Sequence, residues 1–184
     1  MSTGLRLFIA PVSNAFAELY RSAADVWNRT PTDERNSGFD LFCDVSDKSR
    51  VFRGVLTTDG HDPHIITDTY VDTYLVGQGC RALAVDSEGR SRAFWLAPRS
   101  SICKTEWRLA NSLGLIDATY RGVIKAALWS ITATAPQSLN ELDSTRVCQL
   151  TAADLQPWSE IIIVDELPGS ATLRGDDGFG STGK

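Results

Sequence analysis

The chain has 184 residues, a mass of 20.1 kDa and a formal net charge of -5 at pH 7. Hydrophobic residues make up 42% and charged residues 22% of it, a globular composition that excludes disordered, collagen-like and coiled-coil proteins. The negative charge argues against nonspecific binding to nucleic acid or acidic membranes, because few cations are available to displace counterions from phosphates. We therefore expect one folded domain that binds neither nucleic acid nor membrane.

The sequence also indicates the cellular compartment in which we expect the protein. No stretch approaches the roughly 20 apolar residues of a membrane span, and the N-terminus lacks an apolar run followed by a cleavage site. Cys43, Cys80, Cys103 and Cys148 are far apart, which is typical of buried thiols rather than of a disulfide framework or a zinc site. We expect a soluble protein that is not secreted and lies in a reducing compartment, cytoplasmic or nuclear.

The first predicted elements are a short strand at 5–9 and a helix at about 14–28. Apolar residues recur at helical spacing across the helix, and Ser13 or Asn14 is suited to cap its start. Pro31 follows soon after its end. This pattern is typical of a helix that covers a core.

The rest of the chain has short runs rich in β-branched and aromatic residues, separated by Gly, Asp, Ser and Pro. The predicted strands are 39–43, 51–56, 64–76, 80–85, 92–97, 122–133, 146–150 and 160–164. They indicate a mainly β protein, either a sandwich or a barrel, with one N-terminal helix. The stretch from Pro168 onward has too few apolar residues for a core strand. We therefore expect a single domain over 1–170 and a mobile arm over 171–184.

Two segments place polar groups at strand ends. In Asn36-Ser-Gly-Phe-Asp40-Leu-Phe, a turn leads into a strand with one carboxylate inside an apolar run, although such an Asp commonly caps a turn. In Ala97-Pro-Arg99-Ser100-Ser101, a strand ends at a guanidinium, two hydroxyls and free backbone N–H groups. The second segment is suited to cradle a phosphate.

Three further segments lie in the second half of the chain. Asn111-Ser-Leu-Gly114-Leu-Ile116-Asp117-Ala-Thr-Tyr120-Arg-Gly122 is predicted as a hairpin, in which glycines let the backbone approach a flat ligand, or else as an ordinary turn with a surface Asp. Ser144-Thr-Arg146-Val-Cys-Gln149-Leu alternates so that one face presents a cation. Arg174-Gly-Asp-Asp-Gly178-Phe179-Gly180-Ser-Thr-Gly183 has the glycine spacing of a phosphate loop but no following helix, and its lone aromatic indicates a stacking partner.

In order and spacing, these five segments resemble the five motifs of the trimeric deoxyuridine triphosphatases (dUTPases), and are most similar to members from large DNA viruses and phages. The resemblance implies an all-β, distorted jelly-roll-like β barrel with one added N-terminal helix. It also implies a homotrimer with active sites between subunits, whose C-terminal arm closes over a neighbour's site. The implied reaction is Mg²⁺-dependent hydrolysis of dUTP to dUMP and pyrophosphate, which keeps uracil out of DNA and supplies dUMP for thymidylate synthesis.

The resemblance also assigns catalytic roles. Asp117 matches the general base that activates a water for attack on the α-phosphorus, and Asp40 matches the residue that holds waters around Mg²⁺ without contacting the ion directly. Arg99 and Gln149 match phosphate contacts in the reaction. Charge stabilisation and positioning must do most of the work, since an exposed Asp is a weak base at neutral pH.

The remaining matched residues bind substrate. Tyr120 matches the ring that packs under the deoxyribose and leaves no room for a 2′-hydroxyl. The other matches are Ser100 and Ser101 for phosphate, Asn111, Gly114 and Ile116 for the uracil edge, Phe179 for stacking on uracil, and Arg174, Gly180, Ser181 and Thr182 for the β- and γ-phosphates. Fixed backbone groups reject a wrong base because it leaves buried polar groups unpaired.

The sequence departs from the family in its spacing. Asp40 and Arg99 are 59 positions apart, which predicts an insertion at about 48–75. That insertion contains His61 and His64 among several Asp residues, a weak indication of a metal site because no closed ligand set is evident. The fourth motif has Ser144 and Cys148 where the family favours Gly and a small residue, changes that we expect activity to tolerate.

Two alternatives remain open. Deoxycytidine triphosphate deaminases share the fold and a related Arg-Ser-Ser segment, but their catalytic Glu matches Ala127 in this chain. A noncatalytic nucleotide-binding or regulatory protein with the same fold is the second alternative. Loss of Asp117 or of the C-terminal arm would support it, yet the sequence has both.

Overall fold

The structure is a computed structural model that describes residues 4–56, 69–132 and 138–169. Helix α1 spans Asn14–Arg29, and short 3₁₀ helices span Thr32–Glu34, Ser100–Lys104 and Leu139–Leu142. The strands are β1 (Arg6–Pro11), β2 (Gly38–Leu41), β3 (Asp44–Leu56), β4 (Thr69–Val85), β5 (Ser91–Arg92), β6 (Phe94–Pro98), β7 (Trp107–Leu109), β8 (Gly114–Ile116), β9 (Val123–Thr132), β10 (Cys148–Ala152) and β11 (Glu160–Ile163).

The strands of the described residues form two sheets. The larger sheet has the order β11-β1-β4-β9-β7, with β3 and β5 also paired to β4, and the smaller has the order β2-β10-β6-β8. This confirms the prediction of a mainly β protein with an N-terminal helix. Within the described part of the chain, the two strand orders end without joining, so the distorted β barrel that the resemblance implies does not close.

One hydrophobic core includes residues of both sheets and of the helix. Alternation along each strand turns one set of side chains inward, and the burial of each large apolar side chain contributes about 1.5–3 kcal/mol. The largest fully buried side chains are Trp107, Trp158, Tyr20, Phe94, Leu7, Ile9, Leu41, Leu96, Ile124, Leu128, Leu150 and Ile161.

Strand β4 combines two of the predicted strands, 64–76 and 80–85, into one element of 17 residues. Its pairing with β9 shifts between Gly77 and Arg81, and Gly79 there has a φ of +61°. The Phe16 ring of α1 occupies the space where a side chain at Gly79 would lie. Glycine is required here for the backbone conformation and for the close approach of the helix.

Helix α1 lies against the edge of the larger sheet. It is one residue longer than the predicted 14–28, and the Ser13 hydroxyl accepts a hydrogen bond from the Phe16 N–H. The Asn28 side chain donates to the Ile161 carbonyl at 2.8 Å and accepts from the Ile161 N–H at 3.0 Å. These paired hydrogen bonds fix the helix to β11.

The predicted insertion at 48–75 lies in the β3–β4 pair. Its described residues continue the ladder from Lys48, opposite Val76, to Leu56, opposite Thr69. His61 and His64 lie outside the described residues. Asp72, the described Asp of that stretch, is buried and forms an ion pair with Arg53 at 3.3 Å. Among the described residues, no three His, Cys, Asp or Glu side chains are grouped to hold a metal ion.

The segment 111–122 does not form the predicted hairpin. Strand β8 pairs with β6 in the smaller sheet, whereas β9 pairs with β4 and β7 in the larger one. A Cβ at Gly114 would lie 3.2 Å from the Leu96 Cβ. Glycine at 114 fits this pairing because a side chain there would crowd Leu96.

The described residues also test the expectations about the four cysteines and about membrane-spanning segments. Cys43, Cys80 and Cys148 are buried and Cys103 is exposed, and all four are free thiols. Burial raises the pKa of Cys43 to about 11 and that of Cys80 to about 12, which makes both unreactive at neutral pH. Within the described ranges, every helix is too short or too polar to cross a membrane.

Candidate active site

Asp40 is the centre of a charged cluster on the smaller sheet. Strand β2 presents its half-buried carboxylate between two arginines. Arg99 Nε lies 2.6 Å from Asp40 Oδ1, and Arg146 Nη1 lies 3.4 Å from Asp40 Oδ2. With two guanidinium groups around one carboxylate, the cluster carries a net positive charge and favours an anionic ligand.

Arg99 is held in place by the end of β6. The strand stops at Pro98, and the Arg99 N–H donates to the Val147 carbonyl at 2.8 Å. Its Nη1 donates to the Arg146 carbonyl at 2.7 Å and to the Ser101 hydroxyl at 3.2 Å. The guanidinium is therefore preorganised, with Ser101 beside it, whereas the Arg99 N–H is already paired and is not one of the free backbone donors predicted for this segment.

Gln149 completes the cluster from β10. It is in register with Asp40 on β2 and with Ala97 on β6, so its position between those strands is fixed by the sheet. Its Nε2 donates to the Pro98 carbonyl at 3.2 Å. A Cβ at Gly38 would lie 2.6 Å from Gln149 Cδ, so glycine leaves the space that this side chain fills.

The electrostatics of the cluster centre on Asp40. Burial raises the pKa of Asp40 above its ordinary value, and the neighbouring Arg99 and Arg146 oppose that rise. Both carboxylate oxygens lie near guanidinium nitrogens. The carboxylate of Asp40 is therefore already paired on both oxygens, and its main local role is to hold the two guanidinium groups together.

A cavity of about 800 Å³ opens over the cluster. Asp40, Arg99, Ser100 and Gln149 line one side of it, and residues of α1 line the other. The α1 residues are Leu19, Ser22, Ala23, Val26 and Trp27. The volume is within the range of small-molecule sites.

The Asp117 segment forms a second group, away from that cavity. Its turn is fixed by the Tyr120 N–H, which donates to the Asp117 carbonyl at 3.0 Å, and by the Tyr120 hydroxyl, which donates to the Val123 carbonyl at 2.9 Å. Gly114 is buried against β6, and Asn111 is exposed at the turn before it. Asp117 and Ile116 are half-buried. Described residues from 111 to 120 do not line the cavity over Asp40.

The structure therefore brings together only part of the predicted site. Asp40, Arg99, Ser100, Ser101 and Gln149 meet in one cluster. The predicted arm residues, Arg174, Phe179, Gly180, Ser181 and Thr182, lie outside the described residues.

Arg146 is absent from the residues predicted for the site, yet it contacts Asp40 directly. Its guanidinium carbon also lies 6.0 Å from the centroid of the Phe42 ring. The available sequence signal was the alternation of the 144–150 strand, which presents a cation on one face. The α1 wall of the cavity had no signal in the sequence.

Comparison with known proteins identifies relatives of this chain. No protein-family model matches the chain. Over 88 residues the chain is 40% identical to the deoxyuridine 5′-triphosphate nucleotidohydrolase of Escherichia phage T5, covering 48% of this chain and 56% of the phage protein. It is 32% identical over 130 residues to the protein of that name from Corynebacterium glutamicum, and the match covers 68% of this chain and 80% of that protein. It is 31% identical over 134 residues to the protein of that name from Mycobacterium marinum, and the match covers 70% of this chain and 87% of that protein.

Proposed function

Since the chain belongs to the deoxyuridine 5′-triphosphate nucleotidohydrolase (dUTPase) family, we propose that it hydrolyses dUTP to dUMP and pyrophosphate. The observation that carries the proposal is the positive cluster of Asp40, Arg99 and Arg146 at the cavity, beside Ser100 and Gln149. Such a cluster binds a polyphosphate by charge-assisted hydrogen bonds. In the cell, this reaction keeps uracil out of DNA and supplies dUMP for thymidylate synthesis.

The phosphate end of dUTP binds at this cluster. Arg99 offers a planar guanidinium whose orientation is fixed by Arg146 and Ser101. Ser100, Ser101 and Gln149 donate further hydrogen bonds to phosphate oxygens. Because these groups are positioned before substrate arrives, they stabilise the charge that develops on the leaving pyrophosphate without reorganisation.

The proposal includes Mg²⁺. Asp40 would hold it through water and not as a direct ligand, because both of its oxygens are already paired with guanidinium groups. When bound, the ion neutralises charge on the triphosphate and favours departure of pyrophosphate. Asp40 orients the waters, and its paired arginines keep the carboxylate in place.

Asp117 supplies the base and Tyr120 the sugar selectivity in this proposal. Asp117 orients and deprotonates the water that attacks the α-phosphorus. The Tyr120 ring, fixed by its hydroxyl at the Val123 carbonyl, packs under the deoxyribose and excludes a 2′-hydroxyl. Backbone groups of Asn111, Gly114 and Ile116 read the uracil edge.

We further propose a homotrimer of jelly-roll-like subunits with sites between them. The separation of the Asp117 segment from the cavity over Asp40 within one chain supports this, because a complete site then needs the Asp117 segment of a neighbour. The arm 171–184 of a third subunit closes the site, with Phe179 on uracil. Arg174, Gly180, Ser181 and Thr182 contact the β- and γ-phosphates.

The test is pyrophosphate release from dUTP, UTP, dTTP and dCTP in parallel, with Mg²⁺ and with a chelator. We expect Mg²⁺-dependent release from dUTP alone. Binding of dUTP without turnover would instead support a regulatory protein. Ammonia release from dCTP would indicate a deaminase, a result that the buried Ala127 of β9 argues against because it carries no carboxylate.

A further inference from the structure

Tyr20 connects helix α1 to the strand that carries Asp40. Its side chain is fully buried, and burial raises its pKa well above the ordinary value, so the hydroxyl stays protonated. The hydroxyl donates to the Gln78 carbonyl at 2.5 Å and accepts from the Phe42 N–H at 3.1 Å. Phe42 directly follows β2, two residues after Asp40. Without this hydroxyl, the Phe42 N–H would lose the partner that holds it.

Phe42 continues the contacts toward the site. Its ring packs edge-on against the Tyr20 ring, with centroids 5.1 Å apart. On the site side, the Arg146 guanidinium carbon lies 6.0 Å from the centroid of the Phe42 ring. Arg146 in turn reaches Asp40 at 3.4 Å. An unbroken series of contacts therefore runs from the core side of α1 to the charged cluster.

The series matters because Arg146 is a long side chain with its guanidinium half-exposed. An exposed arginine samples many rotamers, and packing on an aromatic face restricts them. The position of that face depends on the Phe42 backbone, which Tyr20 holds.

We propose that Tyr20 is a positioning residue for the site: its hydroxyl fixes Phe42, whose ring keeps Arg146 against Asp40. The inference rests on the proposed dUTP hydrolysis and gives a role to the added helix. The role is specific to the part of α1 that contacts Phe42.

The experiment compares Tyr20→Phe with Asn28→Ala in the full-length protein. Tyr20→Phe keeps the ring and removes the hydroxyl. Asn28→Ala removes the two hydrogen bonds to Ile161, about 12 Å further along the same helix. We expect Tyr20→Phe to lower kcat for dUTP about tenfold with KM within about twofold, because misplacement of charged groups costs transition-state stabilisation. Asn28→Ala leaves both constants unchanged.

Two measurements separate positioning from loss of folded protein. Calorimetric titration with α,β-imido-dUTP gives the number of binding sites per chain, which normalises kcat. The NMR signal of the Arg146 Nε–H, assigned by its loss in Arg146→Lys, reports the guanidinium without turnover. We expect that signal to move toward the position of solvent-exposed arginines in Tyr20→Phe and to stay in place in Asn28→Ala.

The outcomes are distinguishable. If the wild type does not hydrolyse dUTP, the proposed function fails, and the NMR comparison still decides whether Tyr20 positions Arg146. Equal normalised kcat in Tyr20→Phe and wild type, with an unmoved Arg146 signal, would overturn the inference. Should Tyr20→Phe not fold, Phe42→Leu tests the next contact, and an unchanged kcat there overturns the inference as well.

Discussion

Arg99 Nε lies 2.6 Å from Asp40 Oδ1, although 59 positions separate the two residues in the sequence. They meet because β2 and β6 flank β10, where Gln149 is in register with both Asp40 and Ala97. The intervening β3 and β4 belong to the other sheet. The length of the β3–β4 pair can therefore vary without disturbing the cluster.

Asp117→Asn tests the general base. We expect dUTP affinity within about threefold of wild type and a loss of turnover of about 10³-fold or more, because the change removes the base and little of the binding. Pyrophosphate release and calorimetric titration measure the two quantities. Asp33→Asn, an exposed site in the 3₁₀ turn after α1, is the matched control. Equal losses of affinity and turnover would contradict the assignment.

Tyr120→Phe and Tyr120→Ala separate the ring from its hydroxyl. Phe loses the 2.9 Å hydrogen bond to the Val123 carbonyl but keeps the ring. We expect Phe to retain the preference for dUTP over UTP, whereas Ala reduces it about tenfold or more because space opens for the 2′-hydroxyl. The ratio of the kcat/KM values for dUTP and UTP measures this preference. An unchanged ratio in the Ala variant would remove Tyr120 from sugar selection.

Gly38→Ala tests the packing between β2 and β10. The new Cβ would lie 2.6 Å from Gln149 Cδ, so the amide must leave the Pro98 carbonyl. Since the end of a flexible side chain moves, we expect the free energy of unfolding to fall by less than about 1 kcal/mol. Turnover should fall as far as in Gln149→Ala. The double variant checks the mechanism, because Gly38→Ala should have no further effect once Gln149 is absent.

Removal of the residues after Gly169 tests the arm. The hydrophobic core lies within the described residues up to Ile161, so we expect the Tm of the shortened chain to stay within about 3 °C of wild type. We expect kcat/KM for dUTP to fall about 100-fold, because the arm closes the site and supplies phosphate contacts. Full activity of the shortened chain would exclude the arm from catalysis.

Asp86→Asn tests a structural carboxylate in the turn after β4. The Asp86 carboxylate accepts a hydrogen bond from the Arg90 N–H at 2.9 Å, and this bond lowers the pKa of Asp86 below its ordinary 3.8. The Arg90 guanidinium, which also donates to Asp86, lowers the pKa further. A lowered pKa contributes stability that is present above 3.8 and is lost as the pH falls through the folded-state pKa. We therefore expect a lower Tm for the variant at neutral pH.

The difference in Tm should then shrink as the solution is acidified below pH 3.8. Glu88→Gln is the matched control, because Glu88 contacts the same Arg90 from an exposed position. A difference that persists unchanged in acid would assign the effect to packing rather than to charge.

Local signals in the sequence predicted the helix and most strands. Ser13 and the helical spacing of apolar residues gave a helix at about 14–28, and the structure has α1 at Asn14–Arg29. The union of two predicted strands into β4 escaped prediction, because Gly77 and Gly79 interrupt the pattern, whereas the pairing with β9 shifts there and then resumes at Arg81.

Partners far apart in the sequence were harder to foresee. The motif resemblance predicted Asp40, Arg99 and Gln149 for the site, but the contact of Arg146 with Asp40 depends on the pairing of β10 with β2. The pairing of β8 with β6 likewise joins strands that are not consecutive in the chain. The alternation of the 144–150 strand marks a cation on one face, but no local pattern encodes the partner in either contact.

The hydrogen bonds between Asn28 and Ile161 also have a consequence for solubility. In the described residues, β11 is the outermost strand of its sheet. An outermost strand with free N–H and C=O groups recruits strands from other molecules and starts aggregation. The Asn28 amide donates to and accepts from Ile161 as a neighbouring strand would. Helix α1 thus covers the β11 edge at Ile161 and hinders edge-to-edge association of two molecules at that point.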